Sequence, residues 1–274
     1  MFHKIGDVAR LQTDSIIITT CINTDLVGVV GNYNMVINYA ANFVNVIFNS
    51  LISGFGNLVA TESKEKQYSV FKVYRFVACW LYGFAAVGFW LLLTPFITGI
   101  YLDSSWLLAQ SILSLILIDF YFKGGRTVLL NFKIAAGIFE QDKFLPLIQG
   151  GINLLISIVG AMYIGLAGVY IGTVVSGILA NLIRPVIIYN DCFEQSPWDY
   201  FKDSLKYMSV ILIILALLVP INNFLLRQVN ILTFIVMAII ITLIYNLGFL
   251  LAFHRTKEFE YLWNIMLQKL PFGK

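Results

Sequence analysis

Apolar residues recur along this chain in long runs, with short polar stretches between them. A helix needs about 20 such residues to cross the hydrocarbon core of a bilayer, and about eight segments reach that length. They lie at residues 5–28, 33–59, 73–98, 105–131, 144–163, 165–189, 205–226 and 231–253. The segments are expected to be helices, because lipid offers the backbone no hydrogen-bond partners and a helix satisfies its own. The fold class predicted is therefore all-α, a polytopic membrane helical bundle of about eight transmembrane helices. The longest polar interval, residues 190–206, is the only internal boundary in the pattern. It divides residues 1–190, with six segments, from residues 191–274, with two more and a tail. Those last two segments are almost uniformly apolar and should meet lipid on most sides.

Charge adds an orientation. The chain has 18 Lys and Arg residues, and all but Arg227 fall in alternate connections or at the two ends. Lys64, Lys66, Lys72 and Arg75 follow the second segment. Lys123, Arg126, Lys133 and Lys143 surround the end of the fourth, and Arg184, Lys202 and Lys206 follow the sixth. The remainder are Lys4 and Arg10 near the start and Arg255, Lys257, Lys269 and Lys274 in the tail. Basic residues near helix ends stay on the cytoplasmic side, so both termini are predicted to be cytoplasmic. Anionic membrane lipids are the simplest partners for these loops. The plasma membrane, crossed several times, is the expected location. Five tryptophans, at 80, 90, 106, 198 and 263, lie near segment ends or inside the third, and the end positions suit interface anchors.

Composition narrows the class further. Hydrophobic residues make up 59% of the chain and charged residues 12%, against about 25% charged in soluble domains. The net charge of +3 gives no reason to expect nucleic acid as a partner. Cys21, Cys79 and Cys192 have neither metal-ligand nor redox spacing, so no metal site is expected. The first apolar run carries Asp7, Arg10 and Asp14, which argues against a cleavable signal peptide. No phosphate-cradling loop, zinc-protease helix or nucleophile elbow is present, so neither an enzyme nor a cofactor is expected.

The candidate chemistry lies in polar residues inside apolar segments. In the first, Asp7, Arg10, Asp14 and Cys21 project within an arc of about 60°. Arg10 and Asp14 sit roughly 8 and 14 Å along the helix from residue 5. Charges at such depth are costly unless they face protein or water. They either line a cavity or form a structural ion pair, with Asp7 and Asp14 flanking Arg10 at i−3 and i+4. In the second segment, Asn34, Asn38, Asn42, Asn45, Asn49 and Ser53 fall within an arc of about 100°. Each carboxamide supplies donors and an acceptor suited to sugar hydroxyls or bound water. The same groups could equally hold helices together. In the fourth segment Asp119 is a candidate ion- or proton-linked carboxylate or, equally, a local partner of Lys123. Gln110, Ser111 and Ser114 add weaker polarity there. Gly150, Gly151, Gly165, Gly168, Gly172 and Ser176 read as close helix packing.

Residues 4–34, KIGDVARLQTDSIIITTCINTDLVGVVGNYN, resemble the helix that opens the second half of polysaccharide repeat-unit flippases, lipid-linked oligosaccharide transporters of the multidrug/oligosaccharidyl-lipid/polysaccharide exporter superfamily. Asp14 followed by Ile16 to Ile18 matches the family's Asp-x-Ile-Ile pattern, and Gly28, Asn32 and Tyr33 match its Gly-x-x-x-Asn-Tyr turn. Further matches are Gly56, Asn57 and Leu58, then Phe139, Gln141, Asp142, Pro146, Leu147, Ile148, Asn153, Leu154, Ser157, Gly165, Gly168, Gly172 and Thr173. The likeness runs from about residue 3 to 190, and more loosely to the end.

Family members have two six-helix lobes, often with two added C-terminal helices. The resemblance implies that residues 1–190 are the second lobe and 191–274 the addition. The first lobe is missing, so the chain is expected to be a split or truncated form. It would pair with a separate first-lobe chain or with a second copy of itself. As the resemblance implies, the substrate is an undecaprenyl-pyrophosphate-linked oligosaccharide exported for surface polysaccharide. In that reading Arg10 faces phosphate, and Asn38, Asn42 and Asn45 contact sugar or cavity water. Asp14, with Asp7 or Asp119, couples transport to H⁺ or Na⁺. A multidrug-type ion-coupled antiporter and an inactive fragment or membrane scaffold are the alternatives.

Overall fold

A computed structural model of the chain describes residues 13–269. Asp7 and Arg10 lie outside the described residues. All the regular structure among those described is helical. Helix α1 covers residues 13–21. It is followed by α2 (Thr24–Asn49), α3 (Ile52–Thr61), α4 (Lys64–Phe96), α5 (Gln110–Ala135), α6 (Leu145–Ile164), α7 (Leu166–Ile188), α8 (Pro197–Leu225), α9 (Ile231–Phe253) and α10 (Lys257–Lys269). Among the described residues, six stretches are long and apolar enough to cross a membrane: Thr24–Thr61, Lys64–Tyr101, Leu145–Ile164, Leu166–Phe193, Pro197–Leu225 and Ile231–Phe253. Helix α5 has comparable length but carries Asp119, Lys123 and Arg126. The architecture is that of a multi-pass membrane helical bundle.

Several boundaries differ from the sequence pattern. The first break falls at residues 22–23, not at 28–33. Asn23 caps α2 by accepting a hydrogen bond from the Asp25 backbone N–H at 2.9 Å, and Asp25 suits the positive end of the helix dipole. Gly28, Asn32 and Tyr33 therefore lie inside α2 and not in a turn. Asn32 donates to the Gly28 carbonyl at 2.9 Å, and Tyr33 is fully buried. The second apolar segment is broken in turn at residues 50–51, between α2 and α3. Ser63 caps α4 ten residues before the start expected for the third segment, so Lys64, Lys66 and Lys72 sit on helix and not loop. The polar interval 190–206 is largely helical, because Pro197 opens α8 at its first turn.

Helices α6 and α7 press backbone against backbone. A Cβ at Gly168 would stand 2.1 Å from the Gly160 backbone, and one at Gly172 would stand 2.3 Å from Ser157 Oγ. The connecting Gly165 has φ +70, the left-handed region that favours glycine. Gly150 and Gly151 have open space beside them, so the packing role expected of them is not one they perform in this chain.

Helices α8 and α9 pack against each other and α4. Their buried stripe is Ile211, Ile214 and Leu218 on α8 and Met237, Ile241, Tyr245, Phe249 and Phe253 on α9. Every fourth residue of α9 faces inward, and the intervening Leu232, Leu243 and Leu247 are exposed. That exposed apolar majority is what a lipid-facing pair presents.

The basic residues near helix ends are not uniformly available to lipid. Arg75, Arg126, Lys133 and Arg184 are all buried. Arg75 donates to the Tyr200 carbonyl at 2.7 Å and Ser204 Oγ at 2.6 Å, and its guanidinium lies 3.8 Å from the centre of the Tyr200 ring. Arg126 donates to the Gly177 carbonyl at 2.8 Å. Lys133 is paired with Asp142, whose other oxygen is 3.6 Å from Arg184 Nε. These four cations tie helices together. Trp80 and Trp90 likewise serve as internal donors, to Asn246 Oδ1 at 3.1 Å and to Ser114 Oγ at 2.9 Å.

Candidate functional site: a polar cavity inside the bundle

Helix α2 has to place its carboxamides somewhere, and the packing around it decides where. Tyr33, Ile37 and Phe48 turn into the core. Asn34, Asn38, Asn42 and Asn45, at helical spacing on an adjacent face, turn toward α1, α5 and α7. Between these helices lies a cavity of about 300 Å³. Its wall holds Asp14, the four asparagines, Asp119, Lys123, Thr127 and Thr173, with Tyr82 and Tyr170. Five of the residues proposed from sequence, Asp14, Asn38, Asn42, Asn45 and Asp119, are brought together here. A larger cavity of about 420 Å³ between α4, α5 and α8 is lined almost entirely by apolar side chains.

The asparagines divide into two kinds. Asn45 is structural as well as cavity-lining. Its Oδ1 accepts from the Tyr82 hydroxyl at 2.7 Å and from Thr127 Oγ1 at 3.2 Å. Gly124 makes that geometry available, since a Cβ there would stand 2.0 Å from the Tyr82 ring. Asn34 donates to the Tyr170 hydroxyl at 3.5 Å, which ties α2 to α7. Asn38 and Asn42 are exposed to the cavity and make no side-chain hydrogen bond among the described residues. Their donors and acceptors face the open space. Asn49, the last residue of α2, and Ser53, beyond the helix break, share the projected arc but do not line the cavity.

The charged groups have different settings. Asp119 is 6% exposed and pairs with Lys123 at 2.5 Å, one turn along α5. The local pairing weighed for it from sequence is what the geometry shows. Lys123 keeps 43% of its side chain exposed. Asp14 is half-buried at the end of the cavity nearest α7, where its Oδ2 accepts from Thr173 Oγ1 at 3.0 Å. Gln110 and Ser114 belong to the wall between α4 and α5. Gln110 donates to the Trp90 carbonyl at 2.9 Å.

Sequence reasoning passed over Lys123 as a cavity cation, Thr127, Tyr82, Tyr170, and the polar face of α6. Gln149, Asn153 and Ser157 lie at i, i+4 and i+8, and all three are buried. That spacing was available as a signal of an inward polar stripe. Chemically, the described residues of the cavity offer amides and hydroxyls for a polyhydroxylated group, one half-exposed cation and two carboxylates.

The chain matches no family model, no curated protein and no solved structure.

Proposed function

We propose that this chain is a transporter component that moves an amphipathic, hydroxyl-rich substrate across a membrane, of the lipid-linked oligosaccharide type. The reading rests chiefly on one observation: Asn38 and Asn42 present carboxamides with no partner among the described residues to a cavity that also holds Asp14, Asp119 and Lys123. Uncommitted amides inside an apolar bundle are costly unless water or a polar ligand meets them. The resemblance to polysaccharide repeat-unit flippases names the substrate, an undecaprenyl-pyrophosphate-linked oligosaccharide. Lys123, half-exposed beside the asparagines, is a further cation for a pyrophosphate, alongside Arg10. The chain acts as a transporter and not an enzyme. It spans the plasma membrane about eight times, with both termini cytoplasmic, as one lobe beside a first-lobe chain or a second copy. Residues 191–274 supply the added lipid-facing helices.

The test is binding of a lipid-linked oligosaccharide, set against the bare lipid carrier, to the chain in nanodiscs. Preference for the saccharide-bearing form, lost in an Asn38→Leu/Asn42→Leu double variant that stays folded, is the expected result. Equal binding of both lipids, unchanged by the double variant, would remove this reading. It would leave the multidrug-type antiporter or the scaffold.

A further inference from the structure

Helix α5 lines hollows on two sides. Asp119, Lys123 and Thr127 face the polar cavity, whereas Tyr121, Phe122 and Gly125 face a separate one enclosed with α4, α7 and α8. This second cavity has a volume of about 210 Å³. Its walls are apolar except at one end, where Arg75, Asn181 and Ser204 stand. It adjoins the apolar cavity of about 420 Å³ between α4, α5 and α8, with Tyr121, Phe122 and Met208 in the walls of both. Met208, unbranched and adaptable, stands at the junction. From Leu205 to Leu215 on α8, the combined groove runs about 15 Å along the helix axis.

The polar end is short of acceptors. Arg75 is 2% exposed, and its Nη2 donates to the Tyr200 carbonyl and Ser204 Oγ. Its Nε is buried and has no acceptor among the described residues, and neither has the buried amide nitrogen of Asn181 on α7. Buried donors left open are costly, and a ligand rich in oxygen is one way to satisfy them. This end also carries excess positive charge. Arg75 lies 3.7 Å from Asp203, Lys206 lies 3.8 Å from the same carboxylate, and Lys72 lies 3.3 Å from Glu258. Three cations share two carboxylates, which leaves one positive charge over.

We infer that this groove binds one anionic phospholipid, with its phosphate at Arg75 and Asn181 and one acyl chain laid along α5 and α8. The chemistry selects the ligand. A phosphodiester carries a single negative charge and only acceptor oxygens, which suits the excess charge and the two open donors. A zwitterionic headgroup would bring its own cation to a place already in positive excess. A soluble phosphate would leave the long apolar part of the groove unused. Basic pockets between membrane helices are a recurring way to hold anionic headgroups. The lipid would fill the gap between α8 and the α5–α7 face. It would thus join the α8–α9 pair to the rest of the bundle on a side opposite to that where Tyr245 donates to the Trp80 carbonyl of α4 at 3.0 Å. The inference rests on the membrane bundle alone and not on the transport reading. Water in the smaller cavity is the competing way to satisfy Arg75 and Asn181.

The chain, purified in an uncharged detergent and stripped of lipid, is titrated with phosphatidylglycerol or with phosphatidylcholine. Native mass spectrometry reads the lipid retained, and thermal unfolding reads its effect. One retained phosphatidylglycerol and a saturable rise in the unfolding midpoint are expected, with neither for phosphatidylcholine. Gly125→Leu fills the groove. A Cβ there would meet nothing nearer than Cys79 Sγ at 4.0 Å, so the variant is expected to fold and to lose both signals. Asn181→Leu tests the headgroup end without filling the groove. It should weaken half-saturation about tenfold, the loss of one hydrogen bond to a charged group. Equal responses to the two lipids would overturn the site and leave water as the partner. A phosphatidylglycerol response unchanged in both variants would also overturn it, by placing the lipid on the basic helix ends instead.

Discussion

Helices α2 and α9 are both apolar enough to span a membrane, yet they use their surfaces in opposite ways. Helix α9 buries one stripe of Met237, Ile241, Tyr245, Phe249 and Phe253 and exposes leucines and isoleucines on the rest. Helix α2 buries Val30, Tyr33, Ile37 and Phe48 and turns its amides toward a cavity. In lipid, apolar exposure costs little, so α9 needs only enough contact to hold its place. Polar exposure is expensive, so the position of the amides of α2 is constrained by solvation as well as by packing. The difference separates a helix that is scaffold from one that serves a site.

The largest expected effect is on the charged ties that hold this contrast in place. Asp142→Asn leaves Lys133 and Arg184 buried without their shared carboxylate, and a loss of about 3–5 kcal/mol is expected. It would be read as a fall in the unfolding midpoint or as loss of monodisperse protein. Leu218→Ala, in the fully buried contact of α8, should cost about 2 kcal/mol. That is at the low end for a core leucine, because burial here removes no water. Asn45→Leu should cost about 1 kcal/mol, because Tyr82 and Thr127 lose their shared acceptor. Asn38→Leu/Asn42→Leu should leave stability within about 0.5 kcal/mol, since neither amide holds a partner among the described residues. A larger fall than for Asn45→Leu would contradict the division of the stripe. Leu243→Ala, on the exposed face of α9, should change nothing measurable.

Much of the stripe was legible because helical periodicity alone puts residues 34, 38, 42 and 45 on one arc. The same rule overreached at Asn49 and Ser53, where the helix breaks. The first boundary was misplaced for a different reason. Gly28, Asn32 and Tyr33 read as a turn through the family's Gly-x-x-x-Asn-Tyr pattern, but glycine is tolerated inside membrane helices and Asn32 satisfies itself on the Gly28 carbonyl. Arg75, Arg126, Lys133 and Arg184 read as loop cations facing lipid, because spacing does not reveal which neighbour faces a helix end. Their partners lie 125 residues away for Arg75 and 51 for Arg126, well beyond the reach of local pattern. The buried oxygens of α6 and α7 were present only as scattered matches to a family motif. Their convergence depends on Gly160, Gly168 and Gly172 permitting two backbones to touch.

The central claim is that the amides of α2 face water within the bundle while the outer face of α9 faces lipid. It is tested most directly by cysteine labelling in sealed native membrane vesicles, in a chain whose exposed Cys21 has been replaced by serine. Asn38→Cys and Asn42→Cys are expected to react with a small hydrophilic maleimide, and Ile239→Cys and Leu243→Cys to stay unreactive until detergent is added. Equal protection of all four positions, or labelling on α9 but not on α2, would contradict the account.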